Sequence, residues 1–359
     1  MKNMQRNFAL DCFRALAIMM VFTGHTINSL GSPLALAPLQ FGGTGVDLFF
    51  VLSGWLIGNQ LLIEKKKYGD IDIKRFWSRR WMRTLPAYYA VLSATILQQY
   101  LTKEDFSFPW AHLFFLQNYQ TDLDLFYVSW SLSVEEQFYL LIAPLIAITF
   151  KFNKTSQTIV LILLLISPSI FRLTEWYDSL NETHVRLDCC AMGVLLAYCK
   201  HYHFELWEKF SREIHLIFPI AIAAYILFYL ARYFPDLGIR DPSKLGLALI
   251  FGVWIIWADR TSFHNKGLAR SVIMHISTRS YAMYLLHVDA LVITKKLIAN
   301  NHVVIYYFVA LAITLILSEV LYRAIEVPIM SARKNFKFSM SRSNLDRKKS
   351  ACKEVVKHG

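Results

Sequence analysis

Ten long apolar stretches run through this chain, and several contain ionisable residues that lipid does not tolerate. The stretches fall at roughly 9–30, 43–63, 85–101, 130–150, 157–172, 187–200, 214–232, 245–258, 281–299 and 303–322, the sixth and eighth being short. A helix needs about 20 apolar residues to cross hydrocarbon, and most of these approach that length. None alternates apolar and polar residues as the strands of an outer-membrane barrel do. Charged residues make up 18% of the 359, against roughly 25% in an ordinary soluble domain. The sequence therefore predicts an all-α, polytopic membrane protein with about ten transmembrane helices and no internal repeat.

The formal charge of +12 invites a nucleic-acid reading, but the placement of the charge argues against one. Of 38 Lys and Arg, about 29 lie in segments that share one side: the N-terminus, 64–84, 151–156, 200–213, 259–280 and everything from 323. The opposite loops hold Lys103, Arg186, Arg232, Arg240 and Lys244, and the spans hold Arg14, Arg172, Lys295 and Lys296. This is a positive-inside pattern with both termini cytoplasmic. Residues 1–330 read as one membrane domain. Residues 331–359 read as a basic, partly disordered cytoplasmic tail near anionic lipid. Asp11 and Arg14 interrupt what would be the core of a signal peptide, so the first stretch reads as a retained helix. The five cysteines, Cys12, Cys189, Cys190, Cys199 and Cys352, show no spacing of a disulfide framework or a metal site.

Function is expected where polar groups break the spans. In "FRALAIMMVFTGH", Arg14 and His25 are eleven residues apart, which places them on one helical face about 16 Å from each other. Charge facing lipid costs about 2.5–3.5 kcal/mol near the bilayer centre, so that face should turn toward protein. The plainer alternative pairs Arg14 with Asp11 and leaves His25 as an interfacial cap. In "FGGTGVDLFFVLSGWLIG", Asp47 stands at a depth similar to His25 and could orient its ring, or merely complement a helix dipole. Ser53 and Gly54 fit either a close helix crossing or a substrate path. Arg79, Arg80 and Arg83 of "RFWSRRWMRTLP" suit phosphate or lipid headgroups. Ser131, Glu135 and Tyr139 share a strip of one helix. Arg186 and Asp188, the set Ser280, Tyr284 and His287, and the pair Arg323 and Glu326 are further polar groups that individually decide nothing.

In this order, the Arg-ten-His spacing, "GGTGVDLFFVLSGWLIG", "RRWMR", "WSLSVEEQFY", "SYAMYLLH" and "YRAIEVP" resemble the membrane-bound acyltransferase family 3, over residues 8 to 330. Trp55 where Phe is more usual and the cysteines of "RLDCCAMG" are mild departures. The resemblance implies O-acylation of a cell-surface saccharide, such as lipopolysaccharide O-antigen or exopolysaccharide, in the bacterial cytoplasmic membrane, with acetyl-CoA as acyl donor and no metal. It implies His25, Asp47 and Glu135 as catalytic, Arg14, Arg80 and Arg83 as coenzyme-binding, and Ser53, Tyr139 and Arg186 as substrate-binding. In this reading Asp47 or Glu135 holds the imidazole, and Tyr139 positions the acceptor. The partners implied are a saccharide or lipid-linked glycan and membrane lipid, with a homo-oligomer left open. Larger relatives append a hydrolase-like domain outside the membrane, which this sequence lacks, so a separate partner or direct transfer is expected. Two rivals remain at this stage: a permease for lipid-linked sugars, and transfer of another acyl group such as succinyl.

Overall fold

The computed structural model describes residues 7–40, 42–121, 125–231, 243–263, 267–298 and 302–335. Among these residues the chain forms helices and turns and no strand. The helices in chain order are α1 (Phe8–Ser29), α2 (Gly42–Tyr68), α3 (Ile73–Thr102), the single turn α4 (Trp110–Leu113), α5 (Trp130–Thr149), α6 (Lys154–Leu173) and α7 (Asp188–Tyr202). They continue with α8 (Phe204–Arg212), α9 (Ile214–Ala231), α10 (Ser243–Arg260), α11 (Leu268–Leu297), α12 (Val303–Leu321) and α13 (Val327–Asn335); five π-helical residues, Tyr322–Glu326, join the last two.

Among the described residues, each apolar stretch falls on a helix over most of its length. Among the described residues five segments are long and apolar enough to cross a membrane unaided: α1, α2, Tyr127–Thr149, α6 and Val303–Arg333; α8 and α9, bent by 71°, make a sixth if taken as one span. The chain is a multi-pass membrane protein. Among the remaining helices, α7 has only 15 residues, and tyrosine and glutamine dilute the apolar half of α3.

The expected cytoplasmic loop at 64–84 is mostly helix. α2 runs on to Tyr68 and α3 begins at Ile73, capped by Asp72, whose carboxylate accepts from the Arg75 amide at 3.0 Å. Lys and Arg end a membrane-embedded segment without ending a helix, because both are good helix formers. α11 likewise starts at Leu268 rather than near 281. In the aromatic segment at 102–129 the described residues form α4 and the short turns Gln117–Tyr119 and Tyr127–Ser129. Arg232, Arg240, Cys352 and the basic tail from 336 onward lie outside the described residues.

α2 runs through the middle of the body, and small residues let its neighbours approach. A Cβ on Gly54 would stand 2.0 Å from the Cys190 carbonyl oxygen of α7, and one on Gly193 would stand 2.3 Å from the Val51 carbonyl oxygen. Gly54 and Gly58 on α2 thus face Gly193 and Ala197 on α7, a small-xxx-small pair on each helix. The ambiguity over Ser53 and Gly54 resolves here: Gly54 makes the crossing, and Ser53 turns to a cavity. α11 runs parallel to α1, because Ser277 meets Asp11 at 2.7 Å and, further along both helices, His287 meets His25 at 2.6 Å.

Branched side chains at the crossing should drive α2 and α7 apart. We expect Gly193→Val to destabilise the protein by about 1–3 kcal/mol or more, read as a lower melting temperature in detergent. Gly43→Ala, where an added Cβ meets nothing within 4 Å, should leave the melting temperature unchanged.

Candidate active site

Both polar residues of α1 turn toward α11. His25 Nδ1 lies 2.6 Å from His287 Nε2, and the rings stack with centroids 4.9 Å apart. His287 is fully buried, with its Nδ1 2.8 Å from the Tyr284 carbonyl oxygen. A carbonyl only accepts, so the His287 proton is assigned to Nδ1 and its Nε2 offers a lone pair. His25 must then donate through Nδ1, which leaves His25 Nε2 unprotonated. A buried backbone oxygen thus sets, through two rings, which nitrogen of His25 can take a proton or attack a carbonyl. Tyr127 packs edge-on against His25, with centroids 5.6 Å apart.

Toward the other end of α1 lies a cavity of about 780 Å³, its open mouth included. Arg14, Ser53, Arg80, Arg83, Glu135 and Tyr139 all line it. Arg80 donates to the Tyr139 hydroxyl at 2.8 Å and sits over that ring, 4.5 Å from its centroid. The same hydroxyl is 2.8 Å from Ser53 Oγ. The Nε of Arg80 is buried without a hydrogen-bond partner among the described residues. Arg14 donates to Asp11 at 2.9 Å and to Ser277 at 3.4 Å, so the expected alternative pairing with Asp11 is present, yet the guanidinium still borders the cavity. Arg83 stands exposed among the lining residues. Against these three guanidiniums the lining sets one carboxylate, Glu135, and Arg14 is paired to Asp11, so the space keeps an excess of positive charge that suits an anion. Tyr284 belongs to both regions. It lines the cavity and packs 5.6 Å from the His287 ring, while its hydroxyl donates to the Val128 carbonyl at 2.8 Å and accepts from Ser131 at 2.6 Å.

A third polar group is an ionic brace. Asp47 accepts from Arg186 at 3.0 Å and from Lys244 at 2.9 Å. Arg186 also lies over Trp130, 4.8 Å from the ring centroid. Beside it, Arg172 and Asp188 pair at 2.8 Å, both nearly fully buried.

Six of the nine residues singled out from the sequence thus share the cavity, and three do not. Asp47, expected to orient His25, is engaged by two full positive charges, a stronger attraction than a neutral imidazole offers. Glu135, the other expected ring-holder, lies beside Ser53 and Tyr139 instead. His287 takes that place. Tyr139, expected near the acceptor, holds Arg80, and Arg186 serves the brace. The sequence does flag His287 as the last residue of "SYAMYLLH", but nothing in it shows that the Tyr284 carbonyl lies behind the ring.

Comparison with known proteins places the chain among acyltransferases. A family model described as an acyltransferase domain matches residues 7–323. The peptidoglycan O-acetyltransferase OatA of Listeria monocytogenes is 26% identical over 371 residues, covering 91% of this chain and 56% of that protein. The O-acetyltransferase OatA of Staphylococcus aureus is 27% identical over 365 residues, covering 91% and 57%. The chain therefore spans a little over half the length of these curated relatives. No solved structure matches.

Removing one member of a buried ion pair leaves its partner uncompensated, at a cost of about 3–5 kcal/mol. We expect Asp47→Asn, which strands Arg186 and Lys244, to lower the melting temperature of the purified protein far more than His25→Ala does. Equal melting temperatures would remove the brace as a stabilising element.

Proposed function

The chain belongs to the membrane-bound acyltransferase family 3, and on that premise we propose that it moves an acetyl group from cytoplasmic acetyl-CoA to a hydroxyl of a cell-surface saccharide. Peptidoglycan, the substrate in the name of the Listeria relative, joins O-antigen and exopolysaccharide as acceptors of this chemical class. One observation carries the reading: eleven residues apart on one face of α1 stand Arg14, in a cavity it shares with Arg80 and Arg83 of α3, and His25, whose Nδ1 is taken up by the buried His287.

In this proposal about ten helices cross the bacterial cytoplasmic membrane with both termini inside, which turns the arginine end of the cavity to the cytoplasm. Arg80 and Arg83, with Arg14 behind them, grip the coenzyme's phosphates through charge-assisted hydrogen bonds. The thioester arm then lies along Ser53 and Glu135 toward Tyr284. The acceptor oxygen attacks the thioester carbonyl while its proton passes to His25 Nε2. A carbon–oxygen bond forms, the carbon–sulfur bond breaks, and the departing thiolate recovers the proton from His25. Throughout, His25 keeps its Nδ1–H bond to His287, so the ring does not rotate as its charge changes. Tyr139 and Ser53 act on the donor side by fixing Arg80.

The reading is tested in purified protein with acetyl-CoA and a glycan acceptor. We expect His25→Ala to cut acetyl transfer by at least about 100-fold. His287→Phe should cut it by about 10–100-fold, whereas His287→Gln, whose amide oxygen can accept the same bond, should retain more. Arg80→Ala combined with Arg83→Ala should raise the KM for acetyl-CoA and spare that for the glycan. A His25→Ala protein of full activity removes the acyl-transfer mechanism, and an unchanged KM makes the arginines mere anchors. A permease would move lipid-linked sugar without consuming thioester.

A further inference from the structure

A second recess opens at the far end of α3, apart from the arginine cavity. Gln99 near the end of α3, Asp105 and Phe108 of the following loop, Trp110 and His112 of α4, and Leu125 line it, enclosing about 930 Å³ with its open mouth included. Since α3 carries Arg80 and Arg83 at its start and Gln99 near its end, the recess and the arginines are about 24–29 Å apart along the helix.

Two buried polar atoms in this wall have no hydrogen-bond partner among the described residues: Gln99 Oε1 and His112 Nδ1. His112 is only 3% exposed, and its Nε2 lies 2.8 Å from the Leu125 carbonyl oxygen. The carbonyl accepts, so Nε2 carries the proton and Nδ1 presents a lone pair. Burial lowers the proton affinity of this ring, which keeps that lone pair open. Both unpartnered atoms are therefore acceptors, and Asp105 adds a third acceptor to the same wall. An orphaned buried acceptor costs free energy until a donor arrives. Above them stand aromatic faces: Phe108 and Trp110 pack with centroids 4.6 Å apart and are 41% and 65% exposed.

We propose that this recess is a saccharide-binding subsite. A sugar ring offers what the wall lacks, hydroxyls that donate along its edge and an apolar C–H face that lies on an aromatic ring. Lipid tails would leave the two acceptors unmatched, and Lys103 in the same wall opposes a cationic donor. The recess also adjoins the histidines. Leu125, which holds His112, is two residues from Tyr127, whose ring packs on His25, so the backbone between them spans at most about 7 Å. A glycan held here presents a neighbouring sugar to His25 Nε2. That role as acceptor site rests on the acyl-transfer reading; the binding does not.

The test uses the full chain in lipid nanodiscs and a soluble tetrasaccharide of N-acetylglucosamine, with affinity read by calorimetry. We expect Trp110→Ala and Gln99→Leu each to weaken the tetrasaccharide by about tenfold, with acetyl-CoA affinity and melting temperature unchanged. A wild-type protein that binds the tetrasaccharide no better than the Trp110→Ala/Gln99→Leu double variant overturns the proposal, even where thioester consumption is normal. Tetrasaccharide binding that needs both residues, in a protein that consumes no thioester, upholds the subsite and removes the acyl-transfer reading instead.

Discussion

A charged or strongly polar side chain inside an apolar helical body must be answered by another protein group, because hydrocarbon supplies none. That constraint organises this molecule. Asp11, Arg14 and Ser277 answer one another between α1 and α11; Asp47, Arg186 and Lys244 join α2 to the segment before α7 and to α10; Arg172 and Asp188 join α6 to α7. Each cluster ties together helices distant in sequence, so the polar groups specify which helix lies beside which. Apolar packing alone specifies this poorly where the surroundings are equally apolar. The small residues at the α2–α7 crossing complete the arrangement by bringing backbone against backbone.

The histidine pair follows the same rule with a chemical consequence. A buried neutral imidazole has one proton and two nitrogens, and a fixed acceptor behind His287 determines the placement of both protons in the pair. A carboxylate behind His25 would have favoured a standing positive charge on the ring. A neutral imidazole there leaves His25 uncharged and its outer nitrogen basic. Asp47 is unfit for that position because it neutralises two cations already, and moving it would uncover both.

Much of this was legible in the sequence. Apolar blocks gave helices at the right places, since burial in an apolar medium demands long unbroken runs. The eleven-residue spacing put Arg14 and His25 on one face, and both indeed turn to α11. Helix ends were misjudged at 64–84 and before 281 because charge marks where lipid ends, while helices continue into water or headgroups. The partner of His25 was missed because depth along a span is readable from sequence, whereas which helix faces which is not. Asp47 and His25 have similar depth, yet His287 occupies the position beside the ring. Lys244, read as a loop cation, became a counter-ion for the same reason.

The two recesses differ in the charge they ask for, and that difference sorts their ligands. The cavity at one end of α3 sets three guanidiniums against one carboxylate and suits an anion. The recess at the other end offers unpartnered acceptors beside aromatic faces and suits a neutral ligand rich in hydroxyls. A phosphorylated donor gains little from the second, and an uncharged glycan gains little from the first. On the proposed function, a donor and an acceptor approaching from opposite sides would be sorted between the two sites by this difference in charge. His25 lies between them, joined to the cavity through Tyr284 and His287 and to the recess through Tyr127 and Leu125. On the proposed reading, ordering of the Tyr127 side would be felt at the same imidazole that the donor side addresses, and the short path from Leu125 to Tyr127 would be the route by which an occupied recess aligns it.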